Sequence, residues 1–192
     1  MGAFIMLAIA RIPHVLEKDK TDAAVAKIHA TKLTLDDVMG KNLTPDPGVD
    51  ADKTVQGVDA NKNGIRDDVE LAIFKEYPNS AKTRAVLLQY ALALQMEVVQ
   101  PVVNRGTVTE VVTENSRAHA CVGDNLVPRK SPESSRSYAD VEKINTYIHF
   151  VENKQFNTDA RKKADQDFYK NLGSYSESTN KICDIDQSIL PN

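Results

Sequence analysis

The chain lacks most of the features that announce a chemistry. It has two cysteines and four histidines among 192 residues. Neither cysteine belongs to a CxxC pair, and His119 lies two residues from Cys121, which is not zinc-ligand spacing. There is no Gly-rich phosphate loop, no Gly-x-Ser-x-Gly, no His-Glu-x-x-His and no internal repeat, which argues against motif-bearing nucleotide-binding, serine-hydrolase and zinc-protease chemistry. No paired carboxylates stand out as an acid and a base. No apolar run approaches the roughly 20 residues needed to cross a bilayer. Lysine and arginine are scattered and the formal net charge is -3, so no basic face for nucleic acid is present and nucleic acid is not an expected partner.

What is there fits an ordinary folded domain. Apolar residues make up 41% and charged residues 27%, a balance that excludes wholesale disorder and a polytopic membrane protein. A length of 192 residues suffices for one core. Charge is uneven along it. Residues 46–70 hold seven acids (Asp46, Asp50, Asp52, Asp59, Asp67, Asp68, Glu70) and three bases (Lys53, Lys62, Arg66), a local charge of -4 that attracts cations.

Within that segment, residues 59–70 read Asp59-Ala60-Asn61-Lys62-Asn63-Gly64-Ile65-Arg66-Asp67-Asp68-Val69-Glu70. Oxygen-bearing side chains fall at positions 1, 3, 5, 9 and 12, matching D-x-[DN]-x-[DN]-G-x5-E at every fixed position. Asp59, Asn61 and Asn63 offer one oxygen each, Gly64 permits the sharp turn, Ile65 lends its carbonyl, and Asp67 with a bidentate Glu70 completes a shell of about seven oxygens. The competing reading is a set of Asx-turns ahead of a helix whose first turn favours acids. Lys62 and Arg66 are expected to point outward. Three carboxylates and two amides suit modest affinity, near the roughly 10⁻⁴ to 10⁻³ M of extracellular calcium modules or somewhat tighter.

The string resembles the calcium loops of the EF-hand superfamily, with two departures. Position 8, normally apolar, is Arg66, and the apolar residue is Ile65. Upstream, Leu43-Thr44-Pro45-Asp46-Pro47-Gly48-Val49-Asp50 cannot be an entering helix, because two prolines and a glycine interrupt it. Only the exiting helix remains. Such a half-motif is similar to the single loops of dockerins and thrombospondin type-3-like repeats, which implies a structural, extracellular calcium site and not a switch.

At the amino terminus, Ala3-Phe4-Ile5-Met6-Leu7-Ala8-Ile9-Ala10 is too short to span a membrane but long enough for a signal-peptide core, and no basic residues precede it. It reads as a remnant or altered form of a signal or anchor; the alternative is a short core helix. Cys121 and Cys183 suggest an extracytoplasmic disulfide; the alternative is two buried thiols in a reducing cytosol.

Past the loop the periodicity is helical. The pattern predicts helices over Asp67–Tyr77, ended by Pro78; over Ala85–Val99, capped near Asn79 or Ser80 and apolar nearly all round; and over Thr107–Ala120. A polar loop is predicted over Gly123–Ser137, mobile or covering a site. Next comes an amphipathic helix from Tyr138, with Ser137 as cap and Asp140 completing a box, then a last helix from near Asn157 to Gly173. The run Asp159, Arg161, Lys162, Lys163, Asp165, Asp167 reads as a solvated face. His149 reads as a packed or surface residue, not a ligand.

The expectation is therefore an all-α protein, a bundle of about four to six helices preceded by a calcium loop and an extended arm. It divides into an apolar signal- or anchor-like segment at 1–16, a charged stalk and Pro/Asp-rich linker at 17–57, and a calcium loop plus helical body at 58–192. This layout resembles small envelope proteins of bacteria, a resemblance that carries no activity. The functional expectation is a non-enzymatic, extracytoplasmic Ca²⁺-binding domain, its metal held by Asp59, Asn61, Asn63, Ile65, Asp67 and Glu70, with the N-terminal segment as its route to a membrane. The alternatives are an envelope ligand- or protein-binding module, or an enzyme with a pocket under the 123–137 loop.

Overall fold

A computed structural model describes the backbone of residues 2–131, 133–175 and 181–191, and their side chains from residue 15 onward. It is all-helical, with no strand among the described residues. Seven α-helices run in the order α1 (Gly2–Ala30), α2 (Leu35–Val38), α3 (Asp67–Glu76), α4 (Ala81–Val99), α5 (Arg105–Leu126), α6 (Tyr138–Gln155) and α7 (Asp159–Tyr169), with 3₁₀ turns at Gly48–Asp52 and Gln187–Ile189. Five of them, α3 to α7, lie within 58–192.

Helix α4 is the axis of the bundle. Its apolar residues surround the helix, so it survives only when covered on every side. Helices α2, α3, α5, α6 and α7 all pack on it, and Val86, Leu87, Leu88 and Ala91 are fully buried. Ser80 caps it by accepting from the Thr83 N–H. At α6, Ser137 accepts from the Asp140 N–H while the Asp140 carboxylate accepts from the Ser137 N–H, the reciprocal pair that the sequence indicates. Ile144, Ile148 and Val151 are the buried face of that helix.

Helix α5 runs six residues past the predicted end at Ala120. Gly123, expected as the first residue of the polar loop, lies inside the helix, where a Cβ would sit 3.2 Å from Arg136 Nη2 and 3.5 Å from Ile144 Cδ1. The missing side chain makes room for packing across from α6 and does not end the helix. Two residues on, Asn125 donates to the Cys121 carbonyl at 2.8 Å.

Residues 17–57, expected as a charged stalk and Pro/Asp-rich linker, pack on the helical body. Residues 17–30 continue α1, which docks along α5: Asn104 donates to Thr21 Oγ1 at 2.6 Å, and His29 meets Glu110 at 2.9 Å. Beyond it, Ile28, Leu33, Val38 and Ala51 are buried in the common core. Two charged side chains expected at the surface hold the rest. Arg161 is fully buried and donates to the carbonyls of Ala51, Thr54 and Val55 and to Asp52 Oδ1. Arg66 is fully buried too; it grips Asp68, and its Nη1 donates to the Gln155 carbonyl at 2.8 Å. Apart from its 3₁₀ turn and the Gly57-to-Thr54 bond the segment 48–57 has little regular hydrogen bonding, and its Ala51 and Val55 carbonyls take donors from the body. The apolar run at 3–10 and the anchor expected there lie outside the residues whose side chains are described. Among the described residues no helix is long and apolar enough to cross a membrane.

Candidate metal centre

The 59–70 loop is fixed at three points. The Asp67 N–H donates to the Val58 carbonyl at 2.9 Å, closing the base of the loop. Ile65 is fully buried, which seats position 7 in the core. Between them the chain turns through two left-handed residues, Lys62 at φ 60° and Gly64 at φ 87°. A Cβ on Gly64 would stand 2.7 Å from Leu92 Cδ1, so any side chain there is both strained and obstructed.

This folding gathers the polar side chains of the loop. Asp59 Oδ1 accepts from the Asn63 N–H at 3.1 Å and Oδ2 from the Gly64 N–H at 3.0 Å. Both oxygens of Asp67 accept from the Ala60 N–H at 3.2 Å. Glu70 Oε1 accepts from Asn63 Nδ2 at 3.1 Å and Oε2 from Asn61 Nδ2 at 3.2 Å. Ile65 contributes its N–H to Asn63 Oδ1 at 2.9 Å. Lys62 is exposed, as expected, whereas Arg66 turns away from the loop centre into the interior.

One member of the cluster comes from outside the loop. Asp37, in α2, is buried and its Oδ1 lies 3.4 Å from Asn63 Nδ2, while its Oδ2 accepts from the Thr34 N–H at 3.0 Å. The Thr34–Asp37 spacing is that of a helix start and nothing more. Its proximity to a loop some 25 residues away is produced by the docking of 31–57, which no local pattern encodes.

Asp37, Asp67 and Glu70 are at most 5% exposed, and none of the four carboxylates pairs with a lysine, arginine or histidine among the described residues. Burial pushes the Glu70 carboxyl up to about 7; the two amides oppose this, and the nearby Asp37 and Asp67 add to it. Burial likewise raises Asp59, against the pull of the Gly64 and Asn63 N–H groups. Hard oxygen donors buried without a counter-charge fit a divalent cation in kind. In arrangement they are not closed on a common point: among the described residues no group of three or more His, Cys, Asp or Glu converges as a metal shell. The Asn61 and Asn63 amide nitrogens stand against Glu70, and an ion would require both amides to present oxygen instead.

Cys121 and Cys183 are joined by a disulfide, Cα–Cα 5.3 Å. That excludes Cys121 as a nucleophile partnered by His119. Beside it, Arg117 ties the returning tail by donating to Asp184 Oδ1 at 2.6 Å and to the Lys181 and Ile182 carbonyls.

A buried acid far from the loop was likewise not visible in the sequence. Glu97 of α4 is 3% exposed and accepts from Tyr169 Oη at 2.7 Å and from Asn115 Nδ2, with Asp165 of α7 hydrogen-bonded beside it. Burial raises its carboxyl to about 8 from 4.5. The folded state thus holds this proton more tightly, so the stability it contributes is complete below about pH 4.5 and is lost as pH rises through about 8. At about 1.4 kcal/mol per unit, the wild type is expected to lose up to roughly 5 kcal/mol more than E97Q across that window, about 4 kcal/mol of it above pH 5. Urea denaturation of both proteins between pH 5 and pH 9 measures the difference, and parallel curves contradict it.

No protein-family model matches the chain, and no curated protein or solved structure is detectably similar to it.

Proposed function

We propose that the chain is a non-enzymatic, extracytoplasmic helical domain that binds one calcium ion in the 59–70 loop, and that the ion is structural. The observation that carries this reading is the uncompensated carboxylate cluster formed by buried Asp37, Asp67 and Glu70 with half-buried Asp59. Asn61, Asn63 and the Ile65 carbonyl complete the oxygen set, and Asp37 joins it from α2. Held there, the ion ties the docked 31–57 segment to the first turn of α3. Calcium suits a flexible shell of six to eight oxygens better than magnesium, which demands octahedral geometry. The Cys121–Cys183 disulfide favours an oxidising compartment. Tethering through the N-terminal segment is part of the proposal.

An ion that binds only the folded state stabilises it by about 2.7 kcal/mol at a hundredfold excess over Kd. For a domain of this size that is a rise of roughly 5–10 °C in melting temperature. Calcium titrated into the metal-free protein is expected to produce this rise, and Asp59→Ala or Glu70→Ala to abolish it. A shift that persists unchanged in both variants rejects the site.

A second reading, an envelope ligand-binding module or an enzyme with a pocket under the 123–137 loop, is favoured by a cavity of about 290 Å³ at that place, lined in part by Arg117, His119, Arg129 and Arg136.

A further inference from the structure

The cavity beneath the 127–137 segment has a chemistry distinct from the calcium loop. Its walls carry three guanidinium groups, Arg117, Arg129 and Arg136, with His119 and Ser116 from α5 and a single carboxylate, Asp124. The three arginines are not equivalent. Arg117 is saturated by Glu114, Asp184 and two carbonyls, so it serves as wall. Arg129 is exposed and makes no ion pair among the described residues. Arg136 is mostly buried, its side chain 16% exposed; Nη2 donates to Asp124 Oδ1 at 2.6 Å, while its Nε–H is buried with no acceptor. A buried guanidinium donor without an acceptor is rare in a folded protein, and the residue that carries it also lines a cavity of small-ligand size with an excess of positive charge.

We propose that this cavity binds a small ligand through an oxyanion, a phosphate or carboxylate group. The oxyanion is held by Arg136, whose planar fork accommodates two oxygens at once, with Arg129 supplying further charge. Ser116 and His119 border the same space and offer neutral donors. Asp124 competes with the ligand for Arg136. The site does not depend on calcium, and its test is run in metal-free buffer.

The experiment is calorimetric titration of the full chain with inorganic phosphate and, separately, with citrate, at constant ionic strength. At least one anion is expected to bind at millimolar concentration or tighter; binding of phosphate alone assigns the ligand group to phosphate, and of citrate alone to carboxylate. Arg136→Lys keeps the charge and loses the fork, and is expected to weaken binding at least tenfold. Asp124→Asn releases Arg136, and is expected to tighten binding at least threefold, a gain that a misfolded variant does not give. Lys154→Ala, a surface charge on α6, leaves the affinity unchanged. The proposal is overturned if neither anion binds, if Arg136→Lys and Asp124→Asn both stay within twofold of wild type, or if Lys154→Ala weakens binding as much as Arg136→Lys.

Discussion

Arg161→Ala is expected to destabilise the protein by about 3–5 kcal/mol, the range for removing one partner of a buried charged network. Most of that loss comes from the carbonyls of Ala51 and Val55, which lose their donors, whereas Thr54 keeps the Gly57 N–H. The ion pair itself counts for less, because Asp52 is half exposed and water screens it. Since the same contacts hold 48–57 against the body, amide exchange in that segment is expected to quicken before global unfolding does. Urea denaturation and hydrogen exchange on the variant check both effects. A loss below about 1 kcal/mol, with exchange unchanged, means that 48–57 docks without Arg161.

Replacing Cys121 and Cys183 together by serine is expected to cost about 4 kcal/mol, the entropy that a cross-link spanning 62 residues removes from the unfolded chain. The native geometry around it has other support. Arg117 bridges Glu114 and Asp184, and Asp184 also accepts from the Leu33 N–H at 3.0 Å. The variant is therefore expected to retain its helical content in native buffer and to unfold at markedly lower urea. Denaturation with and without reductant, compared with the double serine variant, decides it. Equal midpoints for oxidised and reduced protein place the stabilisation elsewhere.

Elements whose signals are local were legible in the sequence. The Ser137–Asp140 box, the all-round apolar α4 and the stop at Pro78 each depend on residues within a turn or two of one another. The helical class follows from them, as does the compact loop, whose Asp, Asn and Gly residues turn the chain within twelve positions. What escaped depends on distant partners. Arg161 looks like one more charge on a polar helix until the Ala51 and Val55 carbonyls arrive to meet it. Arg66 sits where a calcium loop would expose it, yet Gln155 and Asp68 offer acceptors inside the protein. Gly123 has the appearance of a loop residue because a single sequence does not show that Arg136 and Ile144 occupy its missing side chain's space. Asp37 and Glu97 share this character: each is an unremarkable acid whose burial arises only when separate helices close over it.

Asp59, Asn61, Asn63, Ile65, Asp67 and Glu70 are proposed to hold one calcium ion. Calorimetric titration of the metal-free chain with calcium decides whether they do. One ion per chain is expected to bind with a dissociation constant of about 10⁻³ M or tighter, and none after Asp59→Ala or Glu70→Ala. Absence of calcium binding by the wild-type chain, or binding that both variants retain, contradicts the proposed site.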